Sequence, residues 1–136
     1  MANVIYNSFK GSIGKSINWE TDSIKVMLVT SGYTPNIDTH TVIGDVSSEI
    51  TGTGYTAGGK ELIGKLVTIN TIDDLAKYDG DDITWGTSTI TARGAVIYDT
   101  TISSSLIAFI DFGVDKISSN GDFKIEWNID GIFELA

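Results

Sequence analysis

The chain holds one histidine, His40, and no cysteine, and those two counts bound its chemistry before any fold is considered. A zinc site would need several carboxylates to complete a ligand set around a lone imidazole. A Ser-His-Asp relay would have to recruit this one residue, which sits in the loop Asp38-Thr-His-Thr41. Serines and aspartates are plentiful, but none stands in a G-x-S-x-G elbow, so His40 reads as a surface loop histidine. The acidic group Asp73, Asp74, Asp79, Asp81 and Asp82 offers the hard oxygens that calcium takes, without EF-hand spacing or a distal glutamate. Turn residues, where Asp is selected for backbone reasons, are the favoured reading. Paired carboxylates for glycoside hydrolysis need an approach of roughly 5 to 10 Å across a cleft. With 18 acidic residues some such pair arises by chance.

The stretch Gly52-Thr-Gly54-Tyr-Thr-Ala57-Gly58-Gly59-Lys60-Glu61 has the spacing of two nucleotide motifs. Gly54 to Lys60 matches a P-loop, but Glu61 stands where the magnesium-holding Ser or Thr belongs, and a carboxylate there repels phosphate. Gly52, Gly54 and Ala57 match the relaxed dinucleotide fingerprint, yet no buried strand precedes them and no βαβ unit surrounds them. The favoured reading is a flexible or partner-ordered loop. Trp19, Trp85 and Trp127, with Tyr33 and Tyr55, would suit a sugar-stacking platform. Trp85 and Trp127 lie in phase with Ile83 and Ile125 and read as core, whereas Tyr33 and Tyr55 read as loop contacts for a partner, where Tyr is enriched. No catalytic residue, metal or cofactor is expected, and the chain reads as a non-enzyme.

The elements that must position these residues are strands. Ile90 to Tyr98, Leu106 to Phe112 and Phe123 to Ile129 alternate apolar and polar residues at period two; in the last, Phe123, Ile125, Trp127 and Ile129 are expected to face inward. Ile24 to Val29 is apolar on both faces after Lys25, which suits a central, doubly covered strand. Ile17 and Trp19 alternate ahead of the turn Glu20-Thr-Asp-Ser23, so a hairpin with Ile24 to Val29 is expected. Leu66 to Asn70 and Leu75 to Asp79 read as strands, Asp79 to Asp82 and Asp99 to Ser105 as turns. Asn120-Gly121 reads as a hairpin turn within a longer polar connection from Val114 to Asp122. Tyr6, Phe9 and Ile13 recur at helical spacing before Gly14, which predicts a short amphipathic helix within residues 1–14. From Ser31 to Lys60 the periodicity disappears, apart from Val42, Ile43 and Val46, whose spacing supports one helical turn. A loop this long is functional or pinned by a partner, so an interaction surface is expected there. Deleting 52–59 would then leave a folded domain that no longer assembles.

The predicted architecture is one all-β domain over 1–136, an antiparallel β-sandwich or barrel with a short N-terminal helix and one long irregular loop at 31–60. Fifteen glycines and one proline fit short strands joined by frequent turns. The net charge of -9 repels phosphate backbones and anionic lipid headgroups, so neither nucleic acid nor a membrane is an expected partner. No signal peptide is indicated at the N-terminus.

Read end to end, Thr21 to Asn36, Glu49 to Gly59 with its Thr-Gly-Tyr-Thr-Ala-Gly-Gly element, Asp82 to Trp85, the Ile-Thr-Ala-Arg element ending at Arg93, Ala95 to Tyr98, Leu106 to Gly113 and Gly121 to Trp127 resemble a family of small tailed-bacteriophage virion proteins. Gly94 departs from the larger, often aromatic, residue that the resemblance implies between Arg93 and Ala95. The resemblance implies a structural role without catalytic residues. Its leading form is a capsid decoration or cement protein in the virion, assembled in the host cytoplasm and bound to the major capsid protein or other virion proteins as symmetric copies, with trimers expected. A tail, neck or fibre component is the alternative, and a virion-attached carbohydrate-binding module a further one. The adhesive residues are expected in the helix and the long loop: Tyr6, Phe9, Tyr33, Pro35, Tyr55, Gly58 and Gly59.

Overall fold

The computed structural model describes residues 3–12 and 16–135. Its two longest strands, β6 (Ile83–Asp99) and β7 (Ser105–Ile125), form one antiparallel hairpin closed by a turn at 100–104. Around it a five-stranded sheet is ordered β1-β7-β6-β2-β3, with β1 at Val4–Ile5, β2 at Ile24–Val29 and β3 at Lys60–Glu61. A second, smaller antiparallel sheet is ordered β4-β5-β8, with β4 at Leu66–Asn70, β5 at Leu75–Asp79 and β8 at Phe133–Leu135. The fold is all-β with a single short helix among the described residues, α1 (Asn7–Ser12); Ile13 and Gly14, which the helical spacing included, lie outside the described residues.

Around β2 and the adjoining halves of β6 and β7 the large sheet is apolar on both faces because both are covered there. One face joins Ile24, Val26 and Leu28 of β2 to Ala95 and Ile97 of β6 and runs into the small sheet through Phe133. Phe9 of α1 and Trp19 fill the space between the sheets. Each makes edge-to-face contacts with Tyr78 and Phe133, at centroid separations of 5.6 to 6.0 Å, within the range aromatic pairs prefer. Tyr78 and Phe133, directly opposite one another on β5 and β8, stack at 4.8 Å. The other face joins Met27, Val29, Val96, Tyr98, Leu106 and Phe109 to Tyr6 and Tyr33, with Ile43 and Val46 against them. The doubly apolar β2 therefore obtains its second cover from the long loop.

Three expectations are corrected. Residues 17–19 form no strand: Asn18 Oδ1 accepts the Glu20 and Thr21 N–H groups, and Asp22 Oδ2 accepts the Asn18 N–H, which curls 18–22 into a turn. β2 pairs instead with β6 and β3. Asn120-Gly121 is no hairpin turn, because β7 runs through it and the left-handed Asn120 (φ 52°) is absorbed as a bulge. The bulge is held by hydroxyls: Ser88 Oγ contacts Ser118 Oγ (2.9 Å) and donates toward Trp85 O and Gly121 O, while Ser118 Oγ accepts the Ile90 N–H (3.1 Å). Finally, β7 ends at Ile125, so Ile129 is 97% exposed rather than inward. Trp127 is half-buried at the rim, its Nε1–H donating to Asp81 O at 2.8 Å.

A second bulge carries the Ile-Thr-Ala-Arg element. Between the pairs Gly94↔Asp111 and Ala92↔Lys116, β7 advances five residues while β6 advances two. Arg93 Nε donates to Asp111 Oδ1 (2.9 Å), which also accepts the Gly113 N–H (2.9 Å). Burial pushes the Asp111 carboxyl up, but that N–H and the guanidinium outweigh it and hold the group below its usual range.

Candidate functional site

The residues with chemical potential are dispersed and occupied. His40 Nδ1 accepts the Asn36 N–H (3.2 Å) and lies 2.9 Å from the Tyr33 hydroxyl, which therefore donates to it; Tyr6 in turn donates to Tyr33 at 2.7 Å. This relay pins the start of the long loop onto the core. Ser88 and Ser118, the buried serines, serve the bulge and face no imidazole. Among the described residues no group of three or more His, Asp or Glu side chains converges as a metal would require. Nor, among the described residues, is any helix long and apolar enough to cross a membrane.

The expected adhesive residues turn out to hold the domain together. Tyr6, Phe9 and Tyr33 have essentially no exposed surface, so in this fold they offer nothing to a partner. Pro35, Tyr55, Gly58 and Gly59 are half-buried. The reason lies along the outer edge of β2, which has no full strand beside it. Thr30 N–H donates to Ser48 O, Ile50 N–H to Leu28 O and Leu62 N–H to Ile24 O, so 48–50 and 60–62 serve its two ends. Between them the Tyr55 hydroxyl accepts the Leu28 N–H (3.1 Å) and donates to Glu49 Oε2 (2.7 Å), which also accepts the Gly58 N–H (2.6 Å). Tyr98 donates to Gly58 O (2.6 Å). Burial, then the Glu49 carboxylate, pushes the Tyr55 hydroxyl above its ordinary range, so it stays a donor. The Thr-Gly-Tyr-Thr-Ala-Gly-Gly element is thus a strap that satisfies β2, and its deletion would open the core rather than spare it.

Tyr55→Phe removes both bonds of that hydroxyl and strands the Leu28 N–H. It should lower unfolding stability by about 1 to 3 kcal/mol, read as a shifted urea midpoint at unchanged slope.

The exposed apolar surface gathers elsewhere, around the small sheet. Ile72 at the β4–β5 turn is 91% exposed, Ile69 68%, Ile63 61%, Leu66 55% and Ile129 97%. Register explains the pattern. Val67, Tyr78 and Phe133 form one row across β4, β5 and β8 that faces the core. The next row on that face, Ile69, Ala76 and Leu135, lies nearer the β4–β5 turn, where Ile69 is left exposed. On the opposite face a groove of about 220 Å³ opens between Leu66, Thr68 and Lys77 on the sheet and Ile129 to Gly131 beside it. Lys77 Nζ reaches Asp130 Oδ1 there at 3.4 Å. Exposed Asp73, Asp74, Asp130 and Glu134 rim the area. Both faces of this hairpin therefore present apolar groups within an acidic border. The other exposed large apolar residues are spread out, Ile37 and Val42 in the long loop and Val114 and Ile117 on β7.

The sequence carried one signal of this surface: Ile63, Leu66, Val67, Ile69 and Ile72 place isoleucine and leucine on both faces of a five-residue strand and its flanks. Compared with known proteins, the chain matches no family model, no curated protein and no solved structure. What fold and surface define is a class: an all-β domain of two antiparallel sheets whose small sheet is apolar and open.

Proposed function

We propose that the protein is a non-enzymatic structural component of a tailed-bacteriophage particle, in which it decorates or cements the capsid by binding the major capsid protein or neighbouring virion proteins. The single observation that carries an adhesive role is the set of large apolar side chains left in water around the small sheet of a chain with net charge -9. Large apolar side chains left exposed in one region of a charged surface mark a protein contact site. The phage setting rests on the sequence resemblance, and assembly in the host cytoplasm as symmetric copies, trimers in the leading form, belongs to the same proposal. Location in tail, neck or fibre is the alternative within this class. The carbohydrate-binding reading loses its footing, since Tyr33 is buried and the Tyr55 hydroxyl is engaged by Leu28 and Glu49.

The pair Leu66→Lys and Ile72→Lys tests the reading. Both side chains are mostly exposed, so the variant should keep the wild-type circular dichroism spectrum and melting temperature. Its retention on purified particles should fall by about tenfold or more, as expected when an apolar anchor is replaced by a charge. Gel quantification of wild-type particles places the site: hundreds of copies mean capsid decoration, small multiples of three or six mean neck or tail. Wild-type retention of the folded variant would overturn the role of the small sheet, and absence of the protein from particles would overturn the phage assignment.

A further inference from the structure

At the closed end of the long hairpin the chain is sewn to the segment that leads into β2. Ile24 lies opposite Asp99. Beyond this pair the Thr100 N–H (2.8 Å) and Thr100 Oγ1 (2.9 Å) both donate to Ser23 O, and the Ser23 N–H donates to Thr101 Oγ1 (2.8 Å). These bonds bring Asp22 against Asp99. Asp99 is fully buried, and its Oδ1 accepts the Thr101 (2.9 Å) and Ile102 (3.1 Å) N–H groups that close the turn. Its Oδ2 is equally buried and meets no N–H or hydroxyl donor, and the acid that bears on this side chain is the carboxyl of Asp22. Asp22, itself 9% exposed, accepts the Asn18 N–H on its own Oδ2. Two carboxylates in such contact cannot both ionise without repulsion, and a single proton turns the contact into an O–H···O hydrogen bond.

We propose that Asp22 and Asp99 share one proton, and that this proton fastens segment 16–23 to the β6–β7 turn, making the seating of the small sheet dependent on pH. The same segment is what the small sheet rests on. Trp19 packs on Tyr78 and Phe133, its Nε1–H donates to Asp79 O (2.9 Å), and Glu20 Oε2 accepts the Val67 N–H (3.1 Å). The other charged groups nearby are bonded to partners outside the two carboxyls. Lys65 Nζ donates to the backbone carbonyl of Asp22 (2.7 Å), Glu61 is bonded to the Ser23 hydroxyl, and Lys25 stands opposite Glu61 and Tyr98.

Burial, then the bond to Asp22, raises Asp99 from 3.8 to about 7. With the folded value above the unfolded one, the folded state keeps a proton that the unfolded chain has lost between the two. The clamp's contribution is therefore whole below about pH 4 and disappears as pH rises through about 7. This stands whether or not the protein is a virion component, since its test reads no assembly.

The test is a carboxyl-selective carbon-13 titration of the full chain from about pH 4 to about pH 9, with thermal melting over the same range. One aspartate signal should titrate with a midpoint near 7, and the Trp19 indole resonance should move with the same midpoint. The melting temperature should fall by about 5 °C or more across the upper half of the range. Asp99→Asn keeps an oxygen for Thr101 and Ile102 and puts an N–H where the proton stood, so its melting should be flat over that interval. Asp22→Asn achieves the same from the other side and serves if the first variant fails to fold. Titration of both residues below about pH 5, or parallel melting profiles in wild type and variants, would overturn the shared proton. A midpoint near 7 without movement of Trp19 would overturn its link to the small sheet.

Discussion

Gly59→Ala should destabilise the domain severely. A Cβ at this position would lie 1.8 Å from Val26 O and 2.6 Å from Val26 C, and the backbone is in the left-handed region at φ +84°. Neither partner can yield, because Val26 is held between Ile97 of β6 and Lys60 of β3. The strap must therefore lift. Lifting it uncovers Leu62, breaks the Tyr55 bridge to Leu28 and leaves the outer edge of β2 without its cover. A loss above about 4 kcal/mol is expected, large against the roughly 5 to 15 kcal/mol that holds a domain of this size. It would appear as a melting temperature lower by about 10 °C or more. Gly58→Ala is the comparison: its Cβ would lie 3.4 Å from the Tyr98 hydroxyl at φ +93°, so only the backbone strain of about 1 to 2 kcal/mol applies. Equal and small effects at both positions would show that the strap does not seat on β2 as described.

That strap is also where sequence reading and structure part most instructively. Ile24 to Val29 announced a strand apolar on both faces, and such a strand requires two covers. Sheet residues account for one of them. For the other the chain draws on Tyr33, which belongs to no periodic run, and on Ile43 and Val46, which show only a single helical turn. Period two and period 3.6 describe segments that repeat a backbone geometry, and a covering loop repeats none. Its apolar residues looked like an adhesive surface because nothing local indicated which way they point. The single helical turn was legible at Val42 to Val46 and appears as the 3-10 turn Ile43–Asp45. The strands themselves were legible, β2 as a run apolar on both faces, β4 as a short strand signal, and β5 and the paired halves of the long hairpin from alternation. Asn120-Gly121 misled because a left-handed residue serves a bulge as readily as a turn, and the buried hydroxyls of Ser88 and Ser118 that decide the matter lie 30 residues apart.

The candidate surface was hidden for a related reason. Tyrosines in loops were expected to meet a partner, yet a hydroxyl that can bond inward lets the ring be buried, as Tyr6 and Tyr33 are through each other and His40. The side chains that stay in water are isoleucines and a leucine on a hairpin whose turn end extends past the core. Only the register of β4, β5 and β8 reveals that Ile69 shares a face with the core row and yet lies beyond it.

At Gly94 the sequence reading expected a larger, often aromatic, residue, and the neighbours of this position explain how a glycine is accommodated. It pairs with Val29 on one side and Asp111 on the other, and a Cβ there would lie 2.6 and 2.7 Å from Phe109 Cε1 and Cζ and 2.8 Å from Ile110 O. The Phe109 ring thus lies across the bare backbone and occupies the space a side chain would take. It is almost fully buried there and edge-on to Tyr33 at 5.7 Å. Gly94→Ala should cost about 1 to 3 kcal/mol by overpacking, and Phe109→Ala about 3 to 5 kcal/mol by emptying the site. The two effects should not add. Without the ring the aromatic part of the conflict is gone while the backbone contact with Ile110 O at 2.8 Å remains, so Gly94→Ala should cost less in the Phe109→Ala background than in the wild type. The coupling from a double-mutant cycle should then be about 0.5 to 2 kcal/mol. By the same geometry a large residue at 94 is compatible only with a small one at 109, since the two claim one volume. Equal costs for Gly94→Ala in both backgrounds, measured by urea unfolding, would mean that the ring does not lie over the glycine.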